Sequence, residues 1–371
     1  MIIKVENVEH FVAIAQQHNP IKNVAFQAVD LTHHEDIILE KDFQDCLFLG
    51  CKMSVKAEIK LIETGNLFFP NMKLPFQVYR SKLYGHTELY NDFSYSKPSS
   101  YADTNDHLIY KYYDSKGKAE PTSIKDSLAQ RLHDHSITDS LYDYLAKWDS
   151  HKVVAIMGGH SLRRDTTDYR SIVLISKELA EKGHLMVSGG GPGGMEATHL
   201  GAWMAYRDEK EIDNAISILS KAPLYSDEQW LSAAFEVMEA YPLQTEVESV
   251  GIPTWFYGHE PPTPFATHIA KYFANSVREE GLLAIAKGGI IFAPGSAGTI
   301  QEVFQEAAQN HYSTFGNISP MVFLNRNYWE VDKPVYPLLQ KLAEGHKYGE
   351  LLAISDDVSE VVDAICDFTG L

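Results

Sequence analysis

The chain predicts an α/β fold: an open, parallel sheet flanked by helices over residues 150–371, with a separate module over residues 1–149. Three observations carry this. Strand-length apolar runs alternate with amphipathic stretches from Lys152 onward, the pattern of repeated βαβ units. Two of these runs end in glycine-rich turns, where an open α/β sheet binds its ligands. The first 149 residues lack strand–glycine–helix units and contain a tyrosine-rich stretch from Tyr79 to Tyr113.

Taken in order, the N-terminal module shows a faint five-residue rhythm, with Val24/Phe26 followed by Val29/Leu31 and Phe43/Phe48 alongside Cys46/Cys51. Coils of a pentapeptide-type β-helix would give this rhythm, and so would a small irregular β-containing module. Ser123-Ile124-Lys125-Asp126 reads as a capping box opening a helix toward Trp148, and the domain boundary is expected near 148–151. Beyond it, strands are expected at 152–157, 184–188, 249–257, 289–293 and 319–324. Helices are expected near 167–182, 193–206, 228–240, 265–286, 299–310, 334–345 and 357–368.

Composition limits the partners. Over 371 residues the net charge is −18, which argues against a nucleic-acid or anionic-membrane surface, since both require broad basic faces. The three cysteines include Cys46 and Cys51 at a spacing typical of neither zinc nor redox motifs, and no apolar run reaches transmembrane length. With no secretory pattern at Met-Ile-Ile-Lys-Val-Glu-Asn, the expectation is a soluble, cytoplasmic protein.

The most informative stretch is Pro294-Gly295-Ser296-Ala297-Gly298-Thr299, after the apolar run Gly289–Ala293 and before Glu302. A strand, a tight turn and a helix opening at Thr299 would make an anion seat from free backbone N–H groups, and the glycines let a phosphate approach the main chain. Glu302, expected in the helix's first turn, does nothing to hold an anion and so suggests chemistry on what the phosphate carries. A second cluster, Gly189-Gly190-Gly191-Pro192-Gly193-Gly194 with Met195 and Glu196, places five glycines in six positions after the strand ending at Ser188. Two such turns at strand ends suggest opposite walls of one crevice, over the alternative of tight helix–sheet packing without a ligand.

The first strand of this region ends in Met157-Gly158-Gly159-His160-Ser161, with Arg163 and Arg164 beyond. It lacks the third glycine of the dinucleotide fingerprint, so a nicotinamide dehydrogenase is disfavoured. His160 and Ser161 suit a base or ribose and Arg163 suits phosphate charge, although a polar loop with solvated arginines explains them as well. Arg278 falls in the expected helix before the phosphate turn and could overhang the crevice mouth; beside Glu279 and Glu280 it could equally be a surface ion pair. His133-Asp134-His135 invites a metal reading, but adjacent residues do not share a helical face, and a helix-surface or domain-contact role fits better. No metal or cofactor is called for.

The pairing of Gly189-Gly190-Gly191-Pro192-Gly193-Gly194-Met195-Glu196 with Pro294-Gly295-Ser296-Ala297-Gly298-Thr299-Ile300-Gln301-Glu302 resembles the LOG (Lonely Guy) family, often mislabelled lysine decarboxylases. The first motif is most similar to the bacterial pyrimidine/purine nucleotide 5′-monophosphate nucleosidase branch. The resemblance covers roughly residues 150–371, including Tyr328-Trp329, and implies a Rossmann-like doubly wound parallel sheet. Ser296 stands where the family has a second glycine, the segment 207–247 is longer than in minimal members, and Gly258–Pro264 is a further insert.

What the resemblance implies is a phosphoribohydrolase that cleaves the N-glycosidic bond of a nucleoside 5′-monophosphate to free base and ribose 5-phosphate. Glu302 and Arg278 take the catalytic roles. The substrate is held by Gly158, Gly159, His160, Ser161, Gly189, Gly190, Gly191, Gly194, Met195, Glu196 and residues 294–299. For Glu196, an acid placed favourably at a helix start is as good an account as a ribose or base contact. A homodimer or higher homo-oligomer is implied. A non-catalytic nucleotide sensor and a carrier of a phosphorylated cofactor are the competing classes.

Overall fold

The computed structural model describes residues 3–243, 247–258 and 260–368. Contacts divide the chain into two compact units: residues 1–83 with 114–142, and residues 84–113 with 143–371. The boundary expected near 148–151 does not follow this division, because the tyrosine-rich segment packs with the C-terminal unit.

The first unit is built from strand-and-helix coils. Strands β1 (Ile3–Val5), β2 (Ile21–Lys22), β3 (Val24–Gln27), β4 (Phe43–Gln44), β5 (Leu47–Leu49) and β6 (Leu67–Phe69) alternate with helices α1 (Val8–Gln17), α2 (Glu35–Glu40) and α3 (Val55–Glu63). Pairing is parallel in the order β1-β3-β5-β6, with β2 beside β4. Paired residues lie 20 to 22 positions apart, as in Ile3 with Val24, Ala25 with Leu47 and Leu47 with Leu67. The repeating unit is therefore one strand plus one helix, the logic of a solenoid, in which each coil buries its apolar face on the next.

Phe26 and Phe48, one coil apart, stack at 4.7 Å, and Phe11 meets Phe26 edge-on at 5.6 Å. The Cys46 and Cys51 thiols donate to Ile21 O and Phe26 O of the preceding coil. The five-residue rhythm is thus the spacing of inward positions within one coil, neither a pentapeptide period nor a sign of irregularity. His133 and Asp134 are buried in this unit, with His133 edge-on to Phe76 at 5.6 Å, so they do not lie on a helix surface.

In the second unit the segment 84–113 carries α4 (His86–Leu89) and most of α5 (Asn105–Ser115); the long α6 (Ile124–Leu145) that follows belongs to the first unit as far as Tyr142, with Ser123 accepting from the Asp126 N–H at 3.4 Å. Tyr84 exchanges backbone hydrogen bonds with Ile269 at 2.9 and 2.8 Å. Asp106 accepts from Trp255 Nε1 at 3.1 Å and from the fully buried Lys271 ammonium, while the Tyr90 hydroxyl donates to Pro262 O. These ties fasten the segment to residues 252–273, which explains its membership of this unit.

The rest of the unit runs β7 (Val153–Met157), α7 (Thr167–Glu181), β8 (Leu185–Ser188), α8 (Gly194–Trp203), α9 (Glu209–Leu219), α10 (Trp230–Ala240), β9 (Ser249–Gly251), β10 (His268–Ile269), α11 (Asn275–Ile285), β11 (Gly289–Phe292), α12 (Ala297–Tyr312), β12 (Met321–Leu324), α13 (Val335–Ala343), β13 (Leu352–Ser355) and α14 (Val358–Cys366). The sheet is seven-stranded and parallel, ordered β10-β9-β8-β7-β11-β12-β13. Strand order reverses between β7 and β11, so the sheet is doubly wound and its binding crevice belongs at that switch point.

Every residue of β7, β8, β11 and β12 is buried, as expected of strands covered on both faces. Val154, Ile156, Met186 and Ile291 share one cluster with α7, α8 and α14. On the other face Phe292 and Phe323 stack at 5.1 Å, with Trp329 and Tyr336 against Phe323.

Four elements differ from expectation, the first being the strand expected over 249–257, which is confined to Ser249–Gly251. The helix expected over 265–286 begins at Asn275, because the residues before it form the short edge strand β10 and an extended tail whose Tyr272 bridges Thr254. The segment 207–247 holds two helices, the first capped by an Asp208/Glu211 capping box; residues 244–246 lie outside the described residues, as does His259 of the 258–264 insert. The strand β13 has no forerunner in the sequence reading. Among the described residues no helix is long and apolar enough to cross a membrane.

Candidate ligand crevice

At the switch point β7 and β11 stay paired to their C-terminal ends, and the turns that leave them line a crevice of about 230 Å³. Gly158, Gly159, His160, Met195, Arg278, Ser296, Gly298, Thr299 and Glu302 line it, all expected from the sequence, together with Tyr257, Glu260 and Glu279, which were not.

The anion seat is the start of α12. The helix opens at Ala297 rather than Thr299, so Glu302 lies in its second turn and the first turn carries no acid. Its first N–H groups have no acceptor within the helix, and Ser296 does not cap them. Ser296 has φ −110° and ψ −150°, an extended conformation open to any residue, so its replacement of the family's glycine does not disturb the turn. Gly295 is obligatory for another reason: a Cβ there would fall 2.1 Å from Thr299 Oγ1. Three side chains fix the loop from behind, with the Tyr328 hydroxyl and Lys333 Nζ donating to Gly295 O and Trp329 Nε1 to Phe292 O.

The opposite turn, Gly189 to Gly194, builds a wall. Ser188 Oγ accepts from the Gly190 N–H at 3.1 Å and lies 2.8 Å from His199 Nε2, whose Nδ1 is 2.9 Å from Ser249 Oγ. Burial pushes His199 down to about 3, so this ring is a neutral brace. Gly194 packs on Gly158, where a Cβ would meet Gly158 Cα at 3.0 Å, and Gly193 has φ +69° with Gly159 O in the way of any side chain. Gly189 leaves room for the Arg278 guanidinium, whose Nη1 would lie 3.3 Å from a Cβ at that position.

Arg278 therefore lies between the glycine wall and Glu302, with Nη1 3.8 Å from Glu302 Oε1, beyond hydrogen-bond distance. Its Nε is buried with no hydrogen-bond partner, as is Asn275 Oδ1, whose Nδ2 donates to Glu279 and to the Tyr257 hydroxyl. Of the two, Arg278 lines the crevice, and an orphaned buried polar atom there is what a polar ligand would satisfy. Glu302 is pushed up to about 7, chiefly by burial; Arg278 opposes the rise and Glu279 adds to it.

Several expected residues stand elsewhere. Glu196 does not face the crevice: it is fully buried, accepts from Arg164 Nε at 2.8 Å and Nη2 at 2.5 Å, and takes the Tyr169 hydroxyl at 2.9 Å. Ser161 is exposed and outside the lining, and Arg163 is engaged by Asp165 at 2.6 Å. Gly189, Gly190, Gly191, Gly194, Pro294, Gly295 and Ala297 shape the turns without lining the space. Glu260 comes from the insert at 258–264, whose only signal in sequence is a polar residue amid prolines at a strand end.

No protein-family model matches the chain, and no curated protein matches it. Among solved structures, it is similar to a molybdenum cofactor binding protein from the phototrophic bacterium Rippkaea orientalis, at 15% identity and a TM-score of 0.36 over 58% of this chain and 95% of that one. It is similar also to the molybdenum cofactor carrier protein of Chlamydomonas reinhardtii, at 14% identity and a TM-score of 0.34 over 58% of this chain and 96% of that one. Likenesses this slight add nothing to the site, whose reading rests on its own geometry.

Proposed function

We propose that the crevice is the catalytic site of a nucleoside 5′-monophosphate phosphoribohydrolase of the LOG type that its motifs resemble. The observation that carries this reading is the pair Arg278 and Glu302: a buried guanidinium with an orphaned Nε beside a carboxylate that burial holds near neutrality, both lining one crevice with an uncapped helix N-terminus. The 5′-phosphate takes the α12 N–H groups and remote binding energy positions C1′. As the base departs, C1′ becomes oxocarbenium-like; the ionised Glu302 stabilises that charge and directs the attacking water. A group titrating near working pH suits this proton transfer. Arg278 holds phosphate or ribose oxygens and restrains Glu302. By the same resemblance the protein is a homodimer or larger homo-oligomer, and a monomer by light scattering would contradict that.

A non-catalytic sensor or carrier is the second reading. In its favour, the uncapped helix start and the glycine walls serve binding alone. Incubation with AMP, GMP, CMP, UMP and IMP, followed by assay of free base and ribose 5-phosphate, separates the two. Turnover that falls by about 10²–10⁴-fold in Glu302→Gln, with nucleotide binding retained, supports the hydrolase. Nucleotide binding without base release by the unmodified protein overturns it in favour of the carrier.

A further inference from the structure

The crevice lining holds a second ionisable pair besides Arg278 and Glu302. His160 leaves the end of β7 at the switch point, lines the crevice, and is still 39% exposed at its side chain. Its Nδ1 lies 3.7 Å from Glu260 Oε1, and its ring meets Tyr225 edge-on at 5.5 Å. At this ion-pair distance, too long for a hydrogen bond, Nδ1 faces Glu260, and the ring's other nitrogen, Nε2, is the one left for a ligand.

Glu260 is itself firmly placed. Its Oε2 lies over the glycine turn, 3.8 Å from where a Cβ of Gly191 would stand. The chain just before it is pinned at Gly258, where a Cβ would fall 1.8 Å from the Tyr110 ring, so that ring presses directly on the backbone that carries Glu260. The backbone N–H of Glu260 also donates to Tyr257 O at 2.8 Å.

We propose that His160 is the acid that protonates the departing base, with Glu260 as the positioning residue that orients its ring. This rests on the hydrolase reading and extends it to the leaving group. When the C1′–N bond breaks, its electron pair stays with the base, and a neutral nucleobase is a poor leaving group as an anion. The His160 Nε2 proton goes to a base nitrogen or carbonyl oxygen. The water oxygen bonds to C1′ and its proton goes to Glu302. Exchange with solvent then returns one proton to His160 and removes one from Glu302, so that a nucleotide and water give base and ribose 5-phosphate. One wall thus handles the water and the other the base, the division of labour of paired acid and base groups at a glycosidic bond.

The test compares GMP with 7-methylguanosine 5′-monophosphate, whose base is already cationic and departs neutral without a proton. For His160→Ala, kcat on GMP should fall by about 10²–10³-fold, and on the 7-methyl nucleotide by less than about threefold. For Glu260→Gln a loss of roughly tenfold on GMP alone is expected, partly restored in Glu260→Asp. The methylated substrate is its own control for folding. Equal losses on both substrates would make the pair a binding or structural feature, and no loss on GMP would exclude a role in proton transfer; either overturns the proposal. Failure of the unmodified protein to cleave either nucleotide strikes at the hydrolase reading itself.

Discussion

Glu196 and Glu302 invite comparison because local sequence makes them look alike. Each follows a glycine-rich turn at the end of a parallel strand, and each lies in the helix that the turn opens. Their surroundings are opposite. Glu196 is fully buried and saturated by the Arg164 fork and the Tyr169 hydroxyl, while Arg164 spends its Nη1 on Ala222 O and Trp230 O and stacks over the Trp230 ring at 4.6 Å. Glu302 has an arginine nearby at 3.8 Å with no hydrogen bond, and burial raises its proton affinity. A carboxylate with both oxygens held by hydrogen bonds is part of the scaffold; one left under-satisfied beside a crevice is available for chemistry.

The largest effect that would break this comparison is on stability. Removing one partner of a buried, hydrogen-bonded ion pair costs about 3–5 kcal/mol, because the other charge is left uncompensated. Glu196→Gln and Arg164→Ala should each lose that much in urea denaturation, whereas Glu302→Gln should cost no stability at pH 7, where it removes a carboxyl that burial disfavours in its charged form. If Glu196→Gln proves mild and Glu302→Gln severe, the roles are reversed.

A somewhat smaller effect concerns pH. Glu302 and Glu306 are both pushed up to about 7 by burial, Glu306 in spite of the Ser319 hydroxyl it accepts. A carboxyl that binds its proton more tightly when folded contributes its full stability below the unfolded value near 4.5 and loses it as pH climbs through about 7. The stability lost over that window is on the order of 3 kcal/mol for each group. Turnover should run the other way, rising through pH 7 as Glu302 ionises. Thermal melts of Glu302→Gln and Glu306→Gln across pH 5–8.5 separate the shares: each variant should overtake the unmodified protein on the alkaline side, and only Glu302→Gln should lose the rise in activity. A stability curve that is flat from pH 5 to 8.5 would remove the basis for treating Glu302 as poised.

The difference between these two acids also marks how far sequence carries. The strand-end turns were legible, because Gly190, Gly193 and Gly194 are demanded by a backbone approach that no other residue allows and Gly295 by the Thr299 side chain against it. The sheet was legible wherever a strand is buried on both faces, as in β7 and β11. Glu196 was misjudged because its partner Arg164 lies 32 residues away and the pairing depends on how α8 packs. The helix expected over 265–286 failed where an edge strand of two residues is held by tertiary pairing rather than by its own pattern. Coils were one of two readings of the first unit, but their strand-plus-helix repeat was missed because its period of 20 to 22 residues is carried by only a few inward positions, Phe26, Phe48 and Phe68 among them. Glu260 was missed because it comes from an irregular loop, positioned by Tyr110 from a distant segment.

The smallest expected effect separates the two turns themselves. Gly193 cannot take a side chain: its φ is +69° and a Cβ would fall 2.3 Å from Gly159 O, so Gly193→Ala must distort the wall behind the crevice. Gly298 has open space around it and a place in the first turn of α12. Gly298→Ala should therefore stabilise the fold slightly, by about 0.4–1 kcal/mol, since alanine loses less backbone freedom on folding. The methyl would nonetheless stand on the exposed rim of the anion seat, where the backbone must meet a phosphate. Nucleotide affinity should drop several-fold in a protein that melts no lower, measured by titration calorimetry beside the melt. A glycine whose loss strengthens the fold and weakens the ligand is there for the ligand, and a Gly298→Ala protein with unchanged nucleotide affinity would move the phosphate away from the start of α12.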